Sequence, residues 1–231
     1  MKKALLLFIA AGLMVIANSL NAQECTIYEG YKEGSSTKMV HYDKKDKVTG
    51  TTITTVKERK DIQDGVSLTF NQAYDNGDDY EFESEFSIEC QNGEVKVDMS
   101  KMLDPNTMTA YENMEFEIEA DDLSIPPKAR AGDKLNDGEI TVTVITGTPV
   151  NVSISVGMSN RKVESEEKVE TPAGKFDCLK IAYDLETKIG FLKVKSSTVE
   201  YYNKKHGVIK SESYNKRGKL TGYSVVEEIN Y

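Results

Sequence analysis

The sequence is poor in the residues on which many enzymes and metal sites depend. Its 231 residues include no tryptophan, two histidines and three cysteines. A structural zinc site needs four Cys or His ligands, and no pair of these cysteines has the Cys-x-x-Cys spacing. Neither His41 nor His206 stands in a catalytic motif, and Gly-x-Ser-x-Gly is absent. We therefore expect no metal, no cofactor and no enzymatic activity, with both histidines on the solvated surface.

Positive charge is also in short supply. Lys and Arg number 29 against 38 Asp and Glu, so the formal net charge is −9. The phosphates of nucleic acids and the headgroups of anionic lipids repel a chain of that sign. We therefore expect neither nucleic-acid binding nor docking on an anionic membrane.

A long apolar run occurs once, at the start, in "MKKALLLFIAAGLMVIANSLNAQEC". Lys2 and Lys3 precede an uncharged run over residues 4–17, and small and polar residues follow it. This pattern is typical of a secretory signal peptide, with an uncleaved anchor helix as the alternative. We predict a signal peptide over residues 1–22 and a single all-β domain over residues 23–231, soluble in the periplasm or outside the cell.

The three cysteines follow the predicted leader, so export would place them in an oxidising compartment. Cys25 opens the first strand of the exported chain and Cys90 closes "EFSIEC", which favours a Cys25–Cys90 disulfide. Pairs that include Cys178 remain alternatives, although "FDCLKI" indicates a buried, inert thiol there. Lipidation of Cys25 is not expected, because Glu24 stands where lipoprotein processing requires a small residue.

Apolar and polar residues alternate through most of the chain, which is the period of a β-strand with one dry face. Turn residues stand between the alternating segments. The predicted strands lie near 36–43, 48–59, 65–73, 79–91, 94–98, 140–145, 150–159, 160–170, 175–187, 192–202, 207–214 and 219–229. The segment 121–138 has the composition of a loop. It could divide two domains, but strands on both sides favour a long crossover linker within one sheet system.

Two nine-residue stretches near the two ends of the chain are almost the same. "YDKKDKVTG" begins at Tyr42 and "YNKRGKLTG" at Tyr214, and a looser copy, "YNKKHGVIK", begins at Tyr202. Each predicts a strand, a tight turn and a second strand, with lysines that keep the tip solvated. The alternative is a repeated lysine-rich binding finger. Asp46 stands where the second copy has Gly218, so we expect the first turn to have a different geometry.

Two motifs in the C-terminal part carry a family resemblance, "PAGKF" at 172–176 and "GVIKSE" at 207–212. With them the chain resembles a group of exported bacterial proteins of unknown function, common in Bacteroidetes and including proteins labelled TapB-like. The resemblance covers the C-terminal part well and most of the exported chain more loosely. It implies an all-β fold, a large, strongly curved antiparallel sheet that forms a half-barrel or a barrel, and it implies no catalytic residues.

One segment, 98–114, departs from the alternation and predicts one or two short helices, with Pro105 suited to a first helical turn. Methionine side chains are flexible and polarizable, so those in this segment can plug the core or form a lid over a pocket for an apolar ligand. The candidate ligand-lining residues are Met99, Met102, Met108, Tyr111 and Met114.

Acidic residues are abundant, but their pattern does not indicate catalysis. Four of them would share one face of a strand, namely Asp79, Glu81, Glu83 and Glu85. Like charges along one face are typical of a solvated surface, whereas a glycosidase needs two opposed carboxyl groups in a cleft. The acidic residues around Asn76 also lack the spacing of a twelve-residue calcium loop.

Together these features favour a soluble, exported, non-enzymatic β-protein of the cell envelope. We expect it to bind an apolar or amphiphilic ligand, such as a lipid-like small molecule, or an envelope protein. Two alternatives stay open. One is a purely structural or adhesive envelope module. The other is a carbohydrate-processing enzyme, against which the lack of tryptophan for sugar stacking speaks.

Overall fold

The computed structural model describes residues 25–77, 81–99, 115–145 and 152–231. Within these ranges the chain forms thirteen β-strands and no α-helix, so none of them contains a helix with the length and apolarity of a membrane span. The strands are β1 Ser36–Asp43, β2 Val48–Ile62, β3 Gly65–Asp75, β4 Glu81–Gln91, β5 Glu94–Asp98, β6 Glu115–Ala120, β7 Asp122–Ile125, β8 Gly138–Ile145, β9 Val152–Thr171, β10 Gly174–Ile189, β11 Leu192–Asn203, β12 Gly207–Asn215 and β13 Leu220–Asn230.

All thirteen strands belong to one antiparallel sheet, in the order β6-β8-β9-β10-β11-β12-β13-β1-β2-β3-β4-β5-β7. Strands β6 and β7 lie at opposite edges of that order, yet only Asp121 separates them along the chain. The two edges therefore meet, and the sheet nearly closes into a barrel. At this junction the backbone N–H of Asp121 donates to the carbonyl oxygen of Glu139 at 3.1 Å. The predicted fold, an all-β and strongly curved antiparallel sheet, is confirmed.

Three predicted segments differ from the structure or fall outside it. The two strands predicted at 150–159 and 160–170 form a single strand, β9, because a bulge at Asn160 with a φ of 56° lets pairing with β10 continue. The predicted linker 121–138 contains β7 and a bridge between Lys134 and Lys162. The predicted helical segment lies outside the described residues, apart from its first two positions.

The main core lies on the concave side of the sheet. Apolar side chains of β2 to β5, such as Val56 and Phe70, pack with those of β9 to β11, such as Val163 and Ile181. These two groups of strands are far apart in the sheet order, so their contact requires the sheet to fold over on itself. The N-terminal segment fills this end of the concave side with Ile27, which is 2% exposed, together with its neighbour Tyr31.

A second core lies where the long hairpin of β9 and β10 packs against β12 and β13. Its buried members are Val169, Phe176, Cys178, Tyr201, Ile209 and Val226. Tyr201 contributes to this core and its neighbour Tyr202 to the main core, because successive residues of a strand face opposite ways. The β9–β10 hairpin therefore contributes side chains to both cores.

The two lysine-rich phrases form neighbouring hairpins with the same turn geometry. β13 pairs with β1, so the β1–β2 turn and the β12–β13 turn lie side by side. Asp46 has a φ of 63° and Gly218 a φ of 68°. The prediction of different turns is wrong, because Asp, unlike most residues, tolerates the left-handed region. In each turn the first side chain, Asp43 or Asn215, accepts two backbone N–H groups.

Gly222 marks a close approach between β13 and β1. A Cβ atom there would lie 2.6 Å from the carbonyl oxygen of Tyr42 on the neighbouring strand. We expect Gly222→Ala to lower the free energy of unfolding by about 1–3 kcal/mol in urea denaturation, because backbone must move to admit the methyl group. Gly157→Ala is the matched control, since the nearest atom to its added Cβ is 3.9 Å away. Equal stability of the two variants would contradict the steric account.

Candidate functional site

The concave face of the sheet changes from apolar to polar along the strands. Residues opposite one another in adjacent antiparallel strands share a face. One such row contains Val163, Ile181, Glu200, Ser211, Ser224 and His41. The next row contains Tyr183, Thr198, Ser213 and Gly222. Because Val163 and Ile181 belong to the main core, both rows lie on the concave side.

We call this polar half of the concave face the polar cup. It is defined by His41, Thr52, Tyr183, Thr198, Glu200, Ser211, Ser213 and Ser224. Thr52, Thr198 and Ser224 are buried although they carry hydroxyl groups. Burying a hydroxyl group without a hydrogen-bond partner costs free energy. Three buried hydroxyl groups in one place therefore indicate a surface built for polar contacts.

Glu200 is the carboxylate at the centre of the cup. The Tyr183 hydroxyl donates to its Oε1 at 2.8 Å. Glu200 lies deep in the fold but keeps part of its surface open to solvent, so it is reachable from the concave side. Burial raises the pKa of Glu200, while the hydrogen bond from Tyr183 and the charge of Arg161 act in the opposite direction. Burial and the charge of Glu200 likewise raise the pKa of Tyr183.

Arg161 is the buried cation that accompanies this carboxylate. Its side chain is on the same face as Val163, follows the bulge at Asn160, and the residue is only 7% exposed. Burial lowers the pKa of Arg161, and the charge of Glu200 is the largest influence that opposes this shift. Its Nη1 donates to the carbonyl oxygen of Asn136 at 2.6 Å. Its Nε is buried and has no hydrogen-bond partner among the described residues.

Asn136 connects this cluster to the junction of the sheet edges. Its Oδ1 accepts the backbone N–H of Ser124 at 2.8 Å, and its Nδ2 donates to the carbonyl oxygen of Asp122 at 2.6 Å. Asn136 therefore pairs with β7 in the manner of a short strand and presents its own oxygens to Arg161. The cluster holds the cup and the closure of the barrel together.

A groove continues the cup toward the tips of β10 to β13. It has a volume of about 690 Å³, and its lining includes Met158, Leu185, Ser196 and Asn215. Leu185, Ser196 and Asn215 form the row that follows Tyr183, Thr198 and Ser213 along their strands. Pockets for small molecules commonly have volumes of about 300–1,000 Å³. The cup and the groove together thus offer a site of ordinary ligand size.

The described residues of the cup include one element of a catalytic arrangement, a histidine beside a hydroxyl group. No group of three His, Cys, Asp or Glu residues able to hold a metal ion occurs in the part of the chain that the structure describes. His41 Nε2 lies 2.6 Å from Thr52 Oγ1, which is the distance of a base and a hydroxyl nucleophile. A triad also needs a third group that orients the base, and no carboxylate bonds to His41 within the described ranges.

The expectation that both histidines are solvated is wrong. His41 is half-buried on the concave face, beside the ring of Tyr74. His206 lies 3.2 Å from the hydroxyl of Tyr31 and contacts the ring of Phe176. Burial lowers the pKa of both histidines. Their neighbouring turns suggested exposure, but strand register directs one ring inward and the N-terminal segment covers the other.

The predicted site residues are placed only in part. Met99 is 2% exposed and packs with Leu123 and Ile140, in a small cluster away from the cup. The other four candidates, Met102, Met108, Tyr111 and Met114, lie outside the described residues. The structure thus neither joins these residues into a site nor separates them.

The cysteines follow the arrangement that the sequence favours. A disulfide joins Cys25 to Cys90, with 5.7 Å between their Cα atoms. Cys178 is a buried free thiol whose pKa burial raises to about 11, so it stays protonated at neutral pH.

The sequence analysis did not identify Arg161, Tyr183 or Glu200. A signal was present, because each lies in phase with an apolar residue of the concave face, such as Val163 for Arg161 and Tyr202 for Glu200. A charge in phase with a dry strand face is uncommon unless it is paired. The sequence alone did not show that β9 and β11 bring these two charges together.

Comparison with known proteins now places the chain. A protein from Bacteroides fragilis, described as exported and with a YmcC-like fold, superimposes with a TM-score of 0.69 at 22% identity, covering 87% of this chain and 97% of its own. A protein from Parabacteroides distasonis, described as a lipoprotein, gives a TM-score of 0.71 at 21% identity, covering 90% and 100%. TM-scores of this size show a shared fold, and at this level of identity the likeness extends to the fold alone.

No curated protein matches the sequence. The family model described as DUF3108-like matches residues 32–226, which is most of the chain. These matches agree with the expected all-β family represented in Bacteroidetes, whereas the narrower TapB-like name finds no support in them. The chain belongs to the DUF3108-like family.

Proposed function

We propose that this chain is an exported, non-enzymatic binding protein of the cell envelope, which holds an amphiphilic small molecule in the polar cup and the adjoining groove. The observation that carries the proposal is the buried group of Arg161, Tyr183 and Glu200 on the concave face. The Nε of Arg161 is left without a partner among the described residues, although buried donors are normally satisfied. An acceptor on a ligand, such as a carboxylate or hydroxyl oxygen, would satisfy it.

Export is supported from three directions. The N-terminal sequence has the pattern of a signal peptide. A disulfide between Cys25 and Cys90 suits an oxidising compartment. Two proteins of similar fold are described as exported and as a lipoprotein. Together these observations favour the cell envelope or the exterior over the cytoplasm.

The division of the concave face indicates what kind of ligand fits. Its apolar half is filled by side chains of the chain itself, among them Ile27, Tyr31 and Leu135. Its polar half retains half-exposed groups such as Ser211 and Asn215, and the groove beside it includes the apolar Met158 and Leu185. A molecule with a polar head and a limited apolar body matches this division better than a wholly apolar one. The methionine lid stays a separate prediction.

A dansyl-labelled fatty acid tests the proposal. We expect saturable binding at pH 8, with one probe per chain, measured by fluorescence titration of the protein purified from an envelope extract. Glu200→Gln should bind this anionic probe about three- to tenfold more tightly, because it removes a like charge from the site. Glu212→Gln is the matched control, since Glu212 faces the other side of the sheet, where it bonds to Tyr214.

Two results would contradict the binding function. One is a native protein that takes up no probe saturably and yields nothing bound when extracted with organic solvent. The other is binding that Glu200→Gln and Glu212→Gln change equally. The filled apolar half of the concave face would then favour the second candidate, a purely structural or adhesive envelope module.

A further inference from the structure

Three hairpin turns project from the same end of the sheet. They are the β1–β2 turn, the β10–β11 turn and the β12–β13 turn, and the strands that carry them are neighbours in the order β10-β11-β12-β13-β1-β2. Stacking of Tyr42 on Tyr223, with ring centroids 4.9 Å apart, holds the first and third of these hairpins together. We call this surface the turn end.

The turn end is basic although the chain as a whole is acidic. None of the exposed cations on or beside its three turns forms an ion pair with a described residue. There are seven of them, namely Lys44, Lys45, Lys47, Lys193, Lys216, Arg217 and Lys219. Six of these cations belong to the two lysine-rich phrases, which become adjacent in space because β13 pairs with β1.

Acidic residues at the same end are already engaged. Asp43 accepts backbone N–H groups within its own turn, and Asp46 accepts the hydroxyl of Tyr223 at 2.9 Å. Asp75 accepts a backbone N–H at 2.6 Å. Glu186 is paired with Lys195 at 2.9 Å and with Lys188. These hydrogen bonds leave the carboxylates charged, but the seven unpaired cations outnumber Asp43, Asp46 and Asp75, so the described part of this surface is net positive.

The β10–β11 hairpin adds an apolar tip to this basic surface. Phe191 in its turn is fully exposed, and Ile189, Leu192 and Val194 retain 47, 60 and 52% of their surface. The tip continues four residues beyond Ser196, where pairing with β12 ends, which at about 3.3 Å per residue is a projection of about 13 Å past β12. On the other side β9 pairs with β10 as far as Ile189, so the tip is free on its β12 side. Single exposed apolar residues are common, but four in one projecting hairpin are not.

We propose that the turn end is a docking surface for an anionic lipid bilayer, with the Phe191 hairpin inserted among the acyl chains and the surrounding cations on the headgroups. Interfacial elements bury their apolar groups about 5–10 Å into the boundary between headgroups and acyl chains, which is within the projection of this hairpin. Lys193 stands beside the tip, where headgroup phosphates would lie.

The negative charge of the whole chain predicts the opposite behaviour, but distance limits its effect. Interactions between exposed charges are screened beyond about 8 Å at physiological ionic strength. A bilayer in contact with the turn end therefore meets the local cations more strongly than the acidic residues elsewhere on the molecule. The apolar tip distinguishes a bilayer from a soluble polyanion, which has no interior to receive Phe191.

Vesicle flotation tests the surface with the protein purified from an envelope extract. We expect it to float with vesicles of phosphatidylglycerol and phosphatidylethanolamine and to stay behind with vesicles of phosphatidylcholine. Phe191→Asp should lower the partition coefficient about tenfold, because a charge replaces an inserted ring. Lys44→Gln with Lys219→Gln should lower it about 25-fold, at about fivefold for each cation.

Matched variants separate docking from general effects. Ile53→Asp changes an apolar residue that is 45% exposed away from the turns, and Lys128→Gln with Lys205→Gln removes two exposed cations at the opposite end. Both controls should float like the native protein. Equal flotation with both kinds of vesicle, or binding that survives the Phe191 and lysine variants, would overturn the proposal.

A further outcome separates a lipid surface from a soluble polyanion. If the lysine variant weakens retention on heparin while Phe191→Asp changes no measurement, the surface binds polyanions and the lipid proposal fails. The fatty-acid titration is independent of this result, because Phe191, Lys44 and Lys219 belong neither to the polar cup nor to the lining of the groove.

Discussion

Replacement of Arg161 by leucine is expected to lower the free energy of unfolding by about 3–5 kcal/mol, measured by urea denaturation. Arg161 is 7% exposed, and its Nη1 donates to both oxygens of Asn136. Leucine fills a similar space but leaves those oxygens without their donor and leaves Glu200 without the nearby positive charge. Because Glu200 keeps some contact with solvent, we expect a value near the lower end of this range.

A double-mutant cycle with Glu200 identifies the cause of the loss. If the uncompensated carboxylate is responsible, the double variant Arg161→Leu with Glu200→Leu should lose less free energy of unfolding than the two single variants lose together. The difference should be about 1 kcal/mol or more. Arg217→Leu is the matched control, because Arg217 is exposed on a turn and its loss should change stability by less than about 0.5 kcal/mol. A loss of similar size from Arg161 and Arg217 would refute the structural role of the buried cation.

The pH dependence of stability gives the same cycle a second readout. Burial raises the pKa of Glu200 in the folded protein above its ordinary value of 4.5. The folded state therefore binds more protons at this site than the unfolded state at pH values just above 4.5, and stability falls as pH rises through that window. Glu200→Gln should remove this contribution, and Arg161→Leu should steepen it because the opposing positive charge is gone.

Most strand positions were predictable because each depends on local patterns, although β6 and β7 were not predicted. The turn at 171–174 illustrates this, since Pro172 and Gly174 restrict the backbone and the flanking alternation needs no other part of the chain. The continuity of β9 was not predictable. Asn160 looks like an interruption in the sequence, but pairing with β10 continues on both sides of the bulge and holds the strand together.

The candidate site was not predictable from local patterns, because it depends on closure of the sheet. Alternation shows that Glu200 and Glu212 both lie on strands, but it does not show which of them faces inward. That choice follows from the packing of distant strands in one core, to which β3 contributes Phe70 and β10 contributes Ile181. The repeated lysine phrases likewise became a single basic surface only when β13 paired with β1.

Removal of the disulfide by Cys25→Ala with Cys90→Ala is expected to lower the free energy of unfolding by about 4 kcal/mol. The bond closes a loop between residues 65 positions apart. In the chain-entropy model a loop of this length restricts the unfolded chain by that amount. Cys90 is 1% exposed within the main core, so a small further loss from the deleted sulfur adds to the effect. Urea denaturation with and without reductant measures the change.

Reductant provides the control within the same experiment. It should destabilise the native protein by a similar amount and leave the double variant unchanged, and Cys178→Ala should respond to reductant as the native protein does. Peptide mapping without reduction should recover a peptide that joins Cys25 to Cys90. A peptide that joins Cys178 to either partner would contradict the assignment.

The loss should be largest in the N-terminal segment, which the bond ties to β4. Ile27 and Tyr31 are buried in the main core, and the backbone N–H of Tyr28 donates to the carbonyl oxygen of Lys205 at 2.6 Å. Without the bond, this short segment is retained by such non-covalent contacts, which also include the hydrogen bond from Arg59 Nη1 to the carbonyl oxygen of Tyr28. Hydrogen exchange of the double variant should therefore show early loss of protection at Tyr28 and Tyr31, while amides of β10 and β11 exchange only with global unfolding. Uniform loss across the sheet would show instead that the segment and the barrel unfold as one cooperative unit.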